Sequence, residues 1–168
     1  MKLKIVFATL MLAASQLAYA AAPTAAHIKA VHDLLAAMKT EFRMNATAGR
    51  VRYASDQQRK DVYAVLAKHK PEEIHTRLAK PVAALVTQET AEEMTKFYLS
   101  SYGQKILKDL YNSSAQFAGG SPGSAPTAAE KAMLKNAAFV KADKALKDVD
   151  GAIDHEAFLL LQQLINEK

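Results

Sequence analysis

The acidic segment around Gly151 is the part of the chain whose residue types come nearest to a metal site. Carboxylates alternate there about the glycine, as they do in the middle of a calcium-binding EF-hand loop. With Gly151 taken as the sixth loop position, however, the first and twelfth positions hold leucine and alanine, so the carboxylates that begin and complete the coordination shell are missing. The pattern favours a turn between two helices at Asp150-Gly151, with Asp154 capping the second helix. The weak candidate calcium ligands are Asp148, Asp150 and Asp154.

The histidines and the absence of cysteine limit the other metal chemistry. The five histidines are His27, His32, His69, His75 and His155. No two of them have the H-x-x-x-H or H-E-x-x-H spacing, so a zinc site would need ligands that the fold brings together, and the expectation is solvated histidines on helix surfaces. With no cysteine in the chain, thiolate nucleophiles, cysteine zinc sites and iron-sulfur clusters are excluded. We expect no cofactor.

Catalytic signatures are equally scarce. The sequence shows no G-x-S-x-G nucleophile elbow, since its one literal match, Gly119–Gly123, falls in the Gly/Ser/Pro linker. Its paired carboxylates, Glu72-Glu73 and Glu92-Glu93, fall in predicted first turns of helices, where the helix dipole favours negative charge. The prediction is therefore a noncatalytic protein, and the alternative is a hydrolase whose site is assembled from dispersed residues.

The densest aromatic region lies between Phe97 and Phe117, and it is the best candidate for a binding surface. Aromatic side chains at helical spacing usually pack a corner between two helices, with their hydroxyls at the rim. The functional interpretation is a shallow pocket for an apolar or peptide ligand. The candidate ligand-binding residues are Phe97, Tyr98, Ser101, Tyr102, Gly103, Gln104, Lys105 and Tyr111.

The run from Phe97 to Leu107 resembles the signature of a bacterial exported family, domain of unknown function 2059. In that family an F-Y-x-S-P-x-G-Q-K-type turn joins two helices, and here Ser101 or Tyr102 stands at the usual proline position. The resemblance implies an all-α domain in the periplasm or outside the cell. It implies no catalytic residues.

The N-terminus has the pattern of a secretory signal peptide over residues 1–20. Lys2 and Lys4 precede an apolar run of about ten residues and the A-x-A sequence that ends at Ala20, after which cleavage is expected. Loss of the leader lowers the formal net charge from +5 to about +3. So small a positive charge does not indicate a nucleic-acid-binding protein, and we expect no nucleic-acid partner. We therefore expect a periplasmic or secreted protein without a transmembrane segment after cleavage, whose partner is a protein, a peptide or an envelope component.

Apolar residues at spacings of three and four predict helices throughout residues 21–168. The expectation is one all-α domain, an irregular bundle of five to seven helices with a flexible Gly/Ser/Pro linker at 118–126. Helix starts are predicted at Thr24, Ser55 or Asp56, Pro71, Thr90, Ser101, Thr127 and Asp154. The first helix should extend past Phe42 and end at Asn45–Gly49, and Pro81 should kink or end another near Lys80.

Overall fold

The structure, a computed structural model, describes residues 22–112 and 126–167. Over these two stretches it contains nine helices and no strand. The helices are α1 (Ala25–Ala37), α2 (Thr40–Arg50), α3 (Asp56–Leu66), α4 (Pro71–Ala83), α5 (Gln88–Leu99), α6 (Ser101–Asn112), α7 (Ala128–Leu134), α8 (Ala137–Asp148) and α9 (Asp150–Asn166). The all-α prediction is confirmed, whereas the expected five to seven helices were too few. The predicted leader at 1–20 and residues 118–125 of the predicted linker lie outside the described residues.

Helix α1 is at the centre of the bundle. It packs along both α4 and α5, while α5 also packs against α8, and α9 contacts α2, α3 and α4. Val31 and Leu34 of α1 are fully buried and Leu35 is 1% exposed. Burial of each such side chain contributes about 1.5–3 kcal/mol, so the apolar stripe of α1 is a main source of stability in a chain without disulfides.

The predicted first helix is in fact two helices. Lys39 has a left-handed backbone (φ 54°, ψ 52°) and separates α1 from α2, and the hydroxyl of Thr40 donates a hydrogen bond to the carbonyl of Leu35 at 2.9 Å. Helix α2 then continues through Asn45–Gly49, where the sequence predicts a helix end. Phe42 follows the apolar spacing of the predicted first helix, but its side chain is 46% exposed. A single left-handed residue does not interrupt the apolar spacing, so the pattern could not reveal the break.

Three predicted caps are confirmed. The side chains of Thr24, Ser55 and Thr127 accept hydrogen bonds from backbone N–H groups in the first turns of α1, α3 and α7, and Thr127 forms a complete capping box with Glu130. Pro71 is the first residue of α4, as predicted. At these positions local cap chemistry was sufficient to set the helix start.

Two other predicted caps were displaced toward the N-terminus. Helix α5 is capped by Thr87, and Thr90 lies within its first turn as a buried residue. The next helix begins at Ser101 as expected, but the hydroxyl that accepts the Gly103 N–H, at 3.1 Å, is that of Ser100. In each case two hydroxyl residues compete for one cap, and packing decides between them.

The remaining boundaries also differ from those predicted. Helix α4 continues past Pro81 to Ala83, because Val82 and Ala83 are buried in the core and hold the last turn in place. Helix α9 begins at Asp150, so Asp150-Gly151 forms no turn and Asp154 is not a cap but an internal residue of the helix. Val149 alone separates α8 from α9. Among the described helices, none combines the length and the apolar character needed to cross a bilayer.

Candidate functional site

The predicted aromatic surface forms a packed corner between α5, α6 and α8. Phe97, 5% exposed, has its ring centroid 5.1 Å from that of Tyr98, 6.4 Å from that of Tyr102 and 4.8 Å from that of Phe139. Tyr102 is also buried, while Tyr98 is half-buried. Phe97 and Tyr102 therefore stabilise the helix packing and offer little surface to a ligand.

Two polar side chains of this corner cover the C-terminal end of α1. The hydroxyl of Tyr111 donates a hydrogen bond to the carbonyl of Met38 at 3.0 Å, and the amide of Gln104 donates one to the carbonyl of Ala37 at 3.4 Å. Carbonyls at the end of a helix have no partner within it. Tyr111 and Gln104 thus donate hydrogen bonds to backbone carbonyls at the break between α1 and α2.

Gly103 allows a close approach of α5 and α6. A Cβ atom at this position would lie 2.1 Å from the carbonyl oxygen of Phe97. Ser101, which is exposed, donates a hydrogen bond to Glu130 of α7 at 3.2 Å, and Lys105 is half-buried on the next turn of α6. The solvent-exposed part of the corner is therefore the side that carries Ser101. Ligand binding at this side remains a prediction.

Two tyrosines of the corner, Tyr98 and Tyr111, have raised pKa values. Burial raises the pKa of both Tyr98 and Tyr111 to about 12. Both hydroxyls consequently keep their protons at neutral pH, and neither can act there as a general base.

The three candidate calcium ligands are engaged in ion pairs. Asp150 and Asp154 accept hydrogen bonds from Arg43 of α2, at 2.7 Å and 2.6 Å, and Asp148 contacts Lys144 at 2.5 Å. Burial favours the neutral form of Asp154, but the hydrogen bonds and charges of Arg43 and Arg50 together outweigh it and lower the pKa of this carboxyl. The segment thus serves to join α9 to α2, and the structure gives no support to a calcium loop.

A cavity of about 260 Å³ lies between α3, α9 and the connection from α2 to α3. Its walls are mainly apolar, and they are formed by Val51, Tyr53, Val62, Phe158, Leu161 and Ile165. Four exposed polar residues complete the lining, namely Arg52, Gln58, Asp61 and Gln162. An apolar hollow with a few polar groups is the usual form of a small-molecule site. The sequence analysis missed these residues, since they come from three separate segments with no shared motif.

The histidines are not all solvated, which corrects the prediction. His75 is 5% exposed, and its ring makes an edge contact with that of His32 at a centroid distance of 5.9 Å. With Glu72, these two residues form a group in which one potential ligand atom of each lies within 4.8 Å of the others. The signal in the sequence was the Glu-x-x-His spacing of Glu72 and His75, which places both on one helix face.

Comparisons with known proteins give no family and no relative: no family model, curated protein or solved structure matches this chain. The resemblance to domain of unknown function 2059 therefore remains a prediction.

Proposed function

We propose that this protein is an exported, noncatalytic binding protein whose cavity beside α3 and α9 takes a small, mostly apolar ligand. The observation that carries the proposal is the cavity itself, about 260 Å³ in volume, with apolar walls and exposed polar groups around them. This volume is slightly below the range typical of drug-sized ligands. It therefore suits a compact molecule, or a single large side chain of a partner. The export rests on the leader predicted at residues 1–20.

The cavity is preferred to the aromatic corner because its walls are still available. Phe97 and Tyr102 of the corner are already covered by other helices, whereas Val51, Tyr53 and Ile165 of the cavity are half-buried. A ligand seated here would cover apolar surface that the fold leaves partly open to water. Burial of that surface is the driving force for binding.

The lining also favours binding over catalysis. Acid-base hydrolysis needs convergent titratable groups. Asp61 is the one carboxylate among the residues that line the cavity, and no histidine or serine is present among them. The hydrolase alternative consequently finds no support at this site.

Filling the cavity tests the proposal. Isothermal titration with 1-anilinonaphthalene-8-sulfonate, a small apolar anion, should show one site per wild-type chain. The variant Ile165→Trp places a larger side chain in the wall and should weaken this binding by about tenfold, or about 1.4 kcal/mol.

The matched control is Leu159→Trp, on the same helix but outside the lining, which should bind the probe as wild type does. Equal affinity of the wild type and both variants would show that the probe binds elsewhere. Native mass spectrometry of the protein isolated from its own envelope fraction then identifies the natural occupant by its mass.

A further inference from the structure

Helices α1 and α4 bring two histidines and a glutamate together from positions far apart in the chain. His32 lies on α1, and Glu72 and His75 lie one turn apart on α4. The Nε2 atom of His32 is 3.0 Å from Oε1 of Glu72. This group is separate from the cavity beside α3 and α9, and none of its residues lines that cavity.

The buried imidazole of His75 has one nitrogen without a hydrogen-bond partner among the described residues. Its Nε2 atom is 3.0 Å from Oε2 of Glu41, whereas its Nδ1 atom is shielded from solvent and unpaired. The side chain is only 6% exposed. An unsatisfied buried polar atom needs an explanation. With Nε2–H donating to Glu41, Nδ1 carries the free lone pair that a metal ion requires.

The other nitrogen of each histidine faces a carboxylate. Glu41 faces Nε2 of His75, and Oδ1 of Asp33 lies 3.5 Å from Nδ1 of His32, while Asp33 also pairs with Lys29 at 2.6 Å. In metal sites a carboxylate on the second imidazole nitrogen fixes the tautomer and strengthens the ligand. His75 thus has such a carboxylate hydrogen-bonded to Nε2, and His32 has one near Nδ1, which leaves Nδ1 of His75 and Nε2 of His32 to face a metal ion.

We propose that His32, Glu72 and His75 form a zinc site, with His32 Nε2, a Glu72 carboxylate oxygen and His75 Nδ1 as ligands. Two imidazoles and a carboxylate suit Zn²⁺ and other borderline transition ions better than Ca²⁺ or Mg²⁺, which prefer oxygen ligands. Three protein ligands leave the fourth tetrahedral position open to water.

The present spacing needs only a small contraction around the ion. Ligand atoms in a tetrahedral zinc site are about 3.3 Å apart, given zinc–ligand bonds of about 2.0–2.1 Å, and here one potential ligand atom of each residue lies within 4.8 Å of the others. The side chains of His32 and Glu72 are 22% and 74% exposed, so both can shift toward the buried imidazole of His75. These two side chains therefore supply the adjustment.

The test uses the untagged protein and ZnCl₂ in isothermal titration, with CoCl₂ as the spectroscopic probe. The wild type should bind one ion per chain, and the cobalt form should show the visible absorption of a tetrahedral site. The variants His32→Gln and Glu72→Gln should each weaken zinc binding by at least about tenfold, and Glu41→Gln should weaken it by about ten- to a hundredfold.

Glu73→Gln and His155→Gln are the matched controls. Glu73 lies beside Glu72 in the first turn of α4, and His155 is an exposed histidine of α9, so neither variant should change the affinity. Glu72→Gln alters an exposed side chain, so it keeps the test decisive even if His32→Gln or Glu41→Gln fails to fold. No stoichiometric zinc binding by the wild type, or equal affinity in His32→Gln, Glu72→Gln and the controls, would overturn the proposal.

Discussion

Replacement of Gly103 by alanine should destabilise the protein, although the same change stabilises most helices. An added Cβ would lie 2.1 Å from the carbonyl oxygen of Phe97 and 2.8 Å from the Cα atom of Tyr98. Ordinary carbon–oxygen contacts are about 3.3 Å or longer, so α5 and α6 would have to separate by about 1 Å. Both obstructing groups are backbone and cannot rotate away.

The magnitude follows from two opposing terms. Alanine gains about 1 kcal/mol over glycine inside an unobstructed helix. Overpacking costs about 1–3 kcal/mol or more, and a clash with backbone belongs at the upper end. The expected net result for Gly103→Ala is a loss of about 2 kcal/mol in the free energy of unfolding.

Urea unfolding followed by circular dichroism measures this change, and Gly151→Ala is the control. A Cβ at Gly151 would meet nothing within 4 Å, so that variant should gain about 0.5–1 kcal/mol. Opposite signs for the two variants are the expected result. If Gly103→Ala were as stable as the wild type, the contact between α5 and α6 would not be as close as described, and the argument would fail.

Three further predictions concern the junction of α1, α2 and α9. Lys39→Gly should raise stability by about 0.5–1 kcal/mol in urea unfolding, because the left-handed backbone at this exposed residue is costly for any side chain with a Cβ. Arg43→Met should lower it by about 1–2 kcal/mol, because Asp150 and Asp154 lose the guanidinium that they share while Asp154 keeps its ion pair with Arg50; an unchanged urea midpoint would contradict this. The lowered pKa of Asp154 stabilises the fold above the unfolded value of 3.8, and this contribution is lost as the pH falls below about 4 through the folded pKa. Acid titration of Asp154→Asn should therefore show a shallower loss of stability over that range than the wild type.

The sequence could predict the helical class and several helix starts, because these depend on local chemistry. The hydroxyl caps at Thr24, Ser55 and Thr127 act within one turn, and Pro71 needs only its own ring. The spacing of the apolar residues likewise indicates which face of a helix is buried, whichever element packs against that face. The helix starts and the buried faces can therefore be predicted without knowing which helices pack together.

The breaks and sites could not be predicted in the same way. The left-handed position at Lys39 is not occupied by glycine, so nothing in the sequence marks it, and Asp150 at the start of α9 pairs with Arg43, which is remote in sequence. The cavity combines three segments, and the histidine group requires α1 to lie against α4. Contacts of this range are set by tertiary packing, which residue spacing within one segment does not encode.

The partners of Arg43 lie 107 and 111 residues further along the chain, at Asp150 and Asp154. During synthesis α2 is therefore complete long before the carboxylates that hold it exist. Any fragment that ends before Asp150 leaves this guanidinium in water and removes the support that α9 gives to α2, α3 and α4. Helix α9 thus completes the packing of the helices that precede it. Removal of α9 should therefore destabilise α2, α3 and α4 as much as it destabilises α8.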